Sequence, residues 1–232
     1  MIHPRGSSCP DRSGALVYIF PVFACILACI IICGTVGGES TQDPAWPVSV
    51  TDDSGTLVTM DRPPERIISL APSNTELLFA LGLDDRIIGV TDYCDYPGPA
   101  LLKEKIGGFS TVSLEKVTAL RPDLVCAAEG NNPDTVQRLR SLGIQVYLVD
   151  VTSMEEILRT ISVLGHLTGT SAEAERIIRE LSDRSAGICA TAEDLPRRPV
   201  VAHIIWNDPL YISGGGTFQD ELIRLSGGVN AF

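Results

Sequence analysis

Aromatic side chains lie in two loops of the first half of the chain, close to predicted strand and helix ends. Tyr93 and Tyr96 follow the apolar run Ile87–Val90, and Phe109 precedes a predicted helix that begins at Ser113. Flat apolar side chains in loops at strand ends can hold a large planar ligand. We therefore predict that Tyr93, Tyr96 and Phe109 bind ligand. The alternative is that these rings only fix their own loops, as Tyr-Pro pairs commonly do.

A second set of flat side chains follows an apolar run near the end of the sequence. The run Val200–Trp206 predicts a strand, with Asn207 and Tyr211 just beyond it. We predict that Trp206, Asn207 and Tyr211 form the facing wall of a ligand cleft; the alternative for Trp206 is a place in the core. The glycines Gly214–Gly216 either present amides to an anion or form a flexible turn, and the turn is favoured because the dinucleotide-binding spacing is absent.

The sequence shows no arrangement of residues that is typical of catalysis. His166 and His203 have no second histidine and carboxylate at metal-ligand spacing. Neither a Gly-Lys-Ser/Thr phosphate loop nor a Gly-x-Ser-x-Gly nucleophile motif is present. These absences predict a binding protein that has no catalytic residue, metal ion or cofactor of its own. A chelatase-like enzyme is the alternative from a different class, since a fold alone does not fix function.

The elements that must position these side chains are short apolar runs alternating with helical segments. Four or five apolar-rich residues recur at 67–70, 87–90, 124–128 and 146–149, which is the pattern of strands buried on both faces of a parallel sheet. Ser73 with Glu76 predicts a capping box for the first helix, and Asn132 before Pro133 predicts an N-cap with proline at the first helical position. The alternation predicts an α/β fold.

The sequence divides into five predicted segments. Ser153 with Glu156, and Thr170 with Glu173, predict two capped helices between an earlier and a later α/β region. The segments are a signal peptide or membrane anchor (1–38), an N-terminal hairpin segment (39–64), a first α/β lobe (65–152), a helical linker (153–195) and the start of a second α/β lobe (196–232).

The N-terminal segment predicts export. Arg5 and Arg12 precede the uncharged run Ala15–Cys33, which is either a signal-peptide core interrupted at Pro21 or a retained membrane anchor. Lipid attachment at Cys29 is a less favoured alternative. Eighteen basic and 29 acidic residues give a formal charge of −11, which argues against a nucleic-acid partner. Whether the N-terminal segment is cleaved, retained or lipidated, the globular part is predicted to be extracytoplasmic.

Several motifs in fixed order resemble one family. They are Ser69–Glu76 (Ser-Leu-Ala-Pro-Ser-Asn-Thr-Glu), Asp95-Tyr96-Pro97, Ser113-Leu114-Glu115 and Leu120–Val125. From about Arg62 to Phe232 the chain resembles the substrate-binding proteins of ABC importers for cobalamin and ferric chelates, and most of all the cobalamin-binding branch. The resemblance implies two Rossmann-like lobes joined by a long stiff helix, a permease and its ATPase as partners, and a corrinoid as ligand, with a ferric siderophore or haem as the alternatives.

The resemblance also assigns roles to individual residues. Tyr93 matches a ligand-contacting tyrosine and Phe109 a ligand-contacting tryptophan, whereas a third aromatic of that branch is replaced by Ala128. Glu115 matches a surface glutamate that engages an arginine of the permease; its local alternative is to stabilise the helix dipole. The family pattern continues beyond Phe232, so the second lobe is predicted to be incomplete. A fragment that binds nothing is therefore a further alternative.

Overall fold

A computed structural model describes residues 45–232 of the chain. The predicted leader and its cysteines lie outside these residues. The strands, in chain order, are β1 (Val48–Thr51), β2 (Leu57–Met60), β3 (Ile67–Ser69), β4 (Ile87–Val90), β5 (Glu104–Lys105), β6 (Leu124–Ala128), β7 (Gln145–Val149), β8 (Val200–Val201), β9 (Ile204–Asn207), β10 (Leu210–Ile212) and β11 (Val229–Asn230). The α-helices are α1 (Pro72–Ala80), α2 (Leu114–Leu120), α3 (Pro133–Ser141), α4 (Met154–Thr168), α5 (Ser171–Glu193) and α6 (Phe218–Leu225).

A five-stranded parallel sheet of order β5-β4-β3-β6-β7 organises the first α/β region. Neighbouring residues of the central strand β3 belong to different core clusters: Ile67 packs with Leu78 of α1 and Leu164 of α4, whereas Ile68 packs with residues of α2 and α3. Because side chains alternate across a strand, both faces must be covered by helices. The four apolar runs are thus confirmed as buried parallel strands.

The predicted hairpin is confirmed as the antiparallel pair β1 and β2. Its turn is closed by Asp52, whose carboxylate accepts hydrogen bonds from the amides of Ser54 and Thr56 at 3.0 and 2.9 Å. Gly55 lies in the left-handed region at φ 79°, where a side chain is disfavoured. The turn therefore has a local cause in the sequence.

Of the five helix caps predicted from the sequence, three are confirmed and two are wrong. Ser113, Asn132 and Ser153 each accept a hydrogen bond from a first-turn amide, and so does Thr217, which was not predicted. The capping box at Ser73 is wrong: Pro72 occupies the first turn, the N-cap is Ala71, and Ser73 lies inside α1. The box at Thr170 is also wrong, because the Thr170 hydroxyl pairs with Thr168 at 2.9 Å instead of capping α5.

The helices α4 and α5 approach each other closely at Gly165. A Cβ atom placed on Gly165 would lie 2.4 Å from the Cβ of Ala174 on α5. Packed helices are normally separated by the side chains between them, but α4 and α5 leave no room for a side chain at Gly165. The helix α5 has 23 residues, a length of about 35 Å at 1.5 Å per residue.

Gly165→Ala is expected to lower the free energy of unfolding by about 1 to 3 kcal/mol, because two packed backbones must separate to admit the methyl group. Gly187→Ala on α5 is the matched control, since a Cβ there meets nothing within 4 Å and alanine favours the helix. Urea unfolding of both variants measures the difference. Equal stability of the two variants would contradict the close approach.

The last part of the chain forms a second, smaller α/β arrangement. The strands β8 and β11 are parallel, and α6 lies between them in sequence. The predicted strand Val200–Trp206 is wrong in extent, because the chain leaves β8 after Val201 and starts the hairpin of β9 and β10 at Ile204. The His203 carbonyl accepts the amide of Ser213, ten residues further along the chain, at 3.1 Å, so the segment after β8 pairs within the hairpin. Among residues 45–232, no helix is long and apolar enough to cross a membrane.

Candidate functional site

The first candidate surface lies at the carboxyl ends of β3, β4 and β6. The strand order reverses at this position, since β4 and β5 lie on one side of β3 while β6 and β7 lie on the other. Ligands of open α/β sheets bind in the crevice at such a switch point. The loops that follow β4 and β5 carry Tyr93, Tyr96 and Phe109. The sheet topology therefore directs these predicted residues to one edge.

The three aromatic side chains differ in exposure. Tyr93 and Tyr96 are 65% and 66% exposed, whereas Phe109 is half-buried. A buried ring would fix its own loop, but Tyr93 and Tyr96 leave most of their surface in water. Exposed aromatic surface of this size is available to a partner or ligand.

Two glycines lie beside these rings. A Cβ on Gly108 would lie 3.6 Å from Cε2 of Tyr93, and a Cβ on Gly130 would lie 3.2 Å from Cε1 of Phe109. Gly130 also has φ 91°, a conformation that side chains rarely adopt. The small residues let both rings lie against the backbone, Tyr93 beside Gly108 and Phe109 beside Gly130.

A buried asparagine holds this surface together, and sequence reasoning missed it. The Asn131 amide nitrogen donates to the carbonyls of Leu70 at 3.0 Å and Phe109 at 2.9 Å. Its oxygen accepts the Ala128 amide at 2.8 Å. One side chain thus joins the loops at the ends of β3, β5 and β6. The turn sequence Glu129-Gly130-Asn131-Asn132 was the available signal, but it does not specify distant partners.

The first residues of these loops carry negative charge and no positive charge. Exposed carboxylates occur in the loops after β4, β6 and β7, and they are Asp92, Asp95, Glu129 and Asp150. No lysine or arginine occurs in the stretches 70–73, 91–97, 106–113 and 129–132. An anionic ligand would therefore meet unfavourable charge at this edge, whereas a neutral or cationic ligand would not.

The predicted facing wall lies on the hairpin of β9 and β10. Trp206 and Tyr211 are paired across the two strands and are 60% and 59% exposed, and Asn207 is exposed at the end of β9. Trp206 is therefore not a core residue, and these side chains lie within strands instead of in a loop after one. Within the described range, no hydrogen bond joins this hairpin to the loops that carry Tyr93 and Phe109.

Glu115 occupies the first turn of α2, behind the cap at Ser113. Its side chain is exposed and makes no hydrogen bond or ion pair with any residue between 45 and 232. The neighbouring Lys116 instead bonds the Lys105 carbonyl at 2.7 Å. The carboxylate of Glu115 is thus available for an external cation while it also stabilises the helix N-terminus.

The glycine-rich turn before α6 is already occupied by the chain itself. The Gly216 amide donates to the Asp220 carboxylate at 2.9 Å, and the Thr217 hydroxyl donates to the Gly214 carbonyl at 2.8 Å. The bond from Gly216 lowers the pKa of Asp220 below its usual value. An internal carboxylate therefore takes the place that an external anion would take, which supports the turn interpretation. His203 pairs through Nδ1 with the Ser213 hydroxyl at 2.8 Å.

Comparison with known families decides the class of the protein. A family model described as "Periplasmic binding protein" matches residues 67–232. The chain belongs to the periplasmic binding protein family. Members of this family are non-enzymatic substrate carriers that work outside the cytoplasm, so the chelatase-like alternative is set aside and the predicted extracytoplasmic location agrees with the family.

This periplasmic binding protein matches two curated relatives and covers a different share of the length of each. It is 30% identical over 222 residues to an uncharacterized ABC transporter substrate-binding lipoprotein, YvrC of Bacillus subtilis, covering 90% of this chain and 70% of the relative. It is 33% identical over 172 residues to the vitamin B12-binding protein of Vibrio cholerae serotype O1, covering 73% of this chain and 62% of the relative.

Solved structures show the same relationship. The periplasmic vitamin B12 binding protein BtuF of Vibrio cholerae superposes with a TM-score of 0.66 at 31% identity, over 72% of this chain and 66% of that chain. The periplasmic heme-binding protein RhuT from Roseiflexus sp. RS-1 gives 0.66 at 27% identity, over 72% and 65%. The predicted α/β fold of this class is confirmed. The periplasmic binding protein described here spans less than two thirds of the length of the vitamin B12-binding relatives.

Proposed function

We propose that this protein is the substrate-binding component of an ABC importer and that it binds a corrinoid at the edge formed by β3, β4 and β6. The observation that supports this most directly is the exposed ring of Tyr93 near the half-buried Phe109, whose backbone is held by Asn131 at the switch point of the sheet. A rigid ligand bound to a surface that is already ordered loses little free energy to ordering. The curated relatives that bind vitamin B12 support the same ligand class.

Charge favours a corrinoid over haem. Haem carries two propionate groups, whereas cobinamide is cationic and cobalamin has no net charge. The first residues of the loops that carry Tyr93 and Phe109 include exposed carboxylates and no basic residue, and the nearby Lys105 ammonium is directed at backbone carbonyls. An anionic ligand is therefore disfavoured there. A ferric hydroxamate of neutral or positive charge is the second candidate, supported by the same argument.

Ligand titration of the full chain tests the proposal. Tryptophan and tyrosine fluorescence is followed while cobinamide, cobalamin, haem and a ferric hydroxamate are added separately. We expect saturable binding of cobinamide or cobalamin and at least about tenfold weaker binding of haem. Tighter binding of haem would overturn the corrinoid assignment. If none of the four compounds binds, the alternative of a fragment that binds no ligand is supported.

The Glu115 carboxylate is proposed to dock the permease through a charge-assisted pair with arginine. Glu115→Arg is expected to leave the Kd for corrinoid unchanged and to reduce uptake of labelled corrinoid about tenfold or more, because reversed charge repels the permease. Asp134→Arg is the matched control, since Asp134 is also exposed in the first turn of a helix. Equal uptake by the two variants would leave Glu115 with its local role at the helix N-terminus.

We propose that the globular part of the protein either stays attached to the extracytoplasmic face of the membrane or is released there by cleavage of the segment 1–38. The description of the Bacillus subtilis relative as a lipoprotein supports attachment. We expect a C-terminally tagged chain to be digested when intact cells are treated with protease, while a cytoplasmic control protein survives. Joint protection of the tag and the control would contradict export.

A further inference from the structure

The loop from Thr91 to Ala100, which carries Tyr93 and Tyr96, has few backbone hydrogen bonds of its own. The Cys94 amide donates to Thr91 and the Ala100 amide to Pro97. The amides of Tyr93, Asp95 and Tyr96 donate to no group between residues 45 and 232. A loop with so few internal bonds needs other contacts to keep one conformation. We call residues 91–100 the tyrosine loop.

Lys105, at the end of β5, supplies such contacts. Its ammonium nitrogen lies 2.8 Å from the Cys94 carbonyl, 3.3 Å from the Thr91 carbonyl and 3.4 Å from the Ala100 carbonyl. These three carbonyls belong to the start, the middle and the end of the tyrosine loop. An ammonium group has three N–H donors and no acceptor, so its full donor capacity is directed at this one loop. No carboxylate within the described range forms an ion pair with Lys105.

The Asp92 amide donates to the Gly107 carbonyl at 2.9 Å, and the tyrosine loop has one further fixed point at Cys94. Cys94 is fully buried, and its sulfur lies 3.2 Å from the Thr75 hydroxyl and 3.1 Å from the Thr91 hydroxyl. These contacts hold the inner side of the loop at one residue. They do not reach Ala100, so the ammonium of Lys105 is the contact that joins both ends of the loop.

We propose that Lys105 is a positioning residue: it holds the backbone of the tyrosine loop in the conformation that places the Tyr93 and Tyr96 rings for ligand binding. The inference rests on the proposed function, because it treats the two rings as ligand contacts. Its physical basis is independent: hydrogen bonds from a charged donor are stronger than neutral ones. With the loop already in place, the ligand does not have to order it on binding.

The experiment compares Lys105→Met with Lys103→Met in the full chain. Lys103 is two residues away, and its ammonium donates to the backbone carbonyl of Asp84 and lies over the Phe79 ring, outside the tyrosine loop. Hydrogen exchange of the ligand-free protein is followed at the Cys94 and Ala100 amides. We expect exchange about tenfold faster in Lys105→Met and unchanged in Lys103→Met. Unchanged exchange in Lys105→Met would overturn the proposal.

Binding of cobinamide supplies the second measurement. We expect Lys105→Met to raise the Kd about tenfold with little change in Tm, and Lys105→Arg, which keeps charge and donors, to recover most of the affinity. Faster exchange together with an unchanged Kd would overturn the positioning role. If the wild-type protein binds none of the ligands while exchange still differs between the variants, the proposed function fails and the contact between Lys105 and the loop stands.

Discussion

Asp52→Ala is expected to lower the free energy of unfolding by about 3 to 5 kcal/mol, the cost of breaking a buried ion pair from one side. The Asp52 side chain is fully buried, and it pairs with Arg140 of α3. Its carboxylate also accepts the Leu148 amide of β7 at 3.1 Å. Removing it leaves three amides without this acceptor and leaves the guanidinium with neutral partners only, the Ser54 hydroxyl and the Val146 carbonyl. The hairpin then loses its charged attachment to the sheet.

Urea unfolding followed by circular dichroism measures this loss. Asp61→Ala is the control, because Asp61 is exposed in the same N-terminal region and makes no hydrogen bond or ion pair within residues 45–232. We expect Asp61→Ala to change stability by less than about 0.5 kcal/mol. A loss below about 1 kcal/mol for Asp52→Ala would show that the hairpin contributes little to the fold.

Tyr93→Ala is expected to weaken corrinoid binding by about 1 to 3 kcal/mol, or about 5- to 150-fold in Kd, while Tm changes little. The ring is 65% exposed, so its removal leaves almost no cavity in the protein but takes away contact area for the ligand. Phe109→Ala is a less clean test, because the half-buried Phe109 ring packs against Gly130 and some stability is lost with it.

Tyr93→Phe is the matched control for the ring itself. It keeps the flat apolar surface and removes only the hydroxyl group, so its Kd is expected to stay within about threefold of the wild-type value. Isothermal titration with cobinamide measures both variants. If Tyr93→Ala binds as tightly as Tyr93→Phe, the ring does not contact the ligand.

The strands of the first sheet could be predicted because their signal is local. Residues 87–90 and 124–128 are apolar throughout, and a strand covered on both faces requires that composition wherever it lies. The caps at Ser113 and Asn132 were predictable for the same reason, since their hydrogen bonds stay within three residues. The prediction at Ser73 failed because Pro72 is the first helical residue, which places the N-cap at Ala71, two residues earlier. Two local signals competed, and the backbone constraint of proline prevailed.

The end of the chain shows the limit of local patterns. The apolar run from Val200 to Trp206 is compatible with one strand, but the residues divide between β8 and β9. Asp208-Pro209 forms the turn that returns the chain, and the bond between His203 and Ser213 spans ten residues. A run of apolar residues does not show with which strand each half of the run will form hydrogen bonds.

Local patterns were enough to predict the α/β class, the N-terminal hairpin, the resemblance to substrate-binding proteins and the candidate aromatic residues. The folded chain was needed to show that Asn131 joins three loops, that Lys105 contacts the tyrosine loop and that Asp53 pairs with Arg159, 106 positions away. The physical reason is that composition and capping act between near neighbours in the chain. A polar side chain chooses a distant partner only when the packed sheet has brought that partner within hydrogen-bond distance.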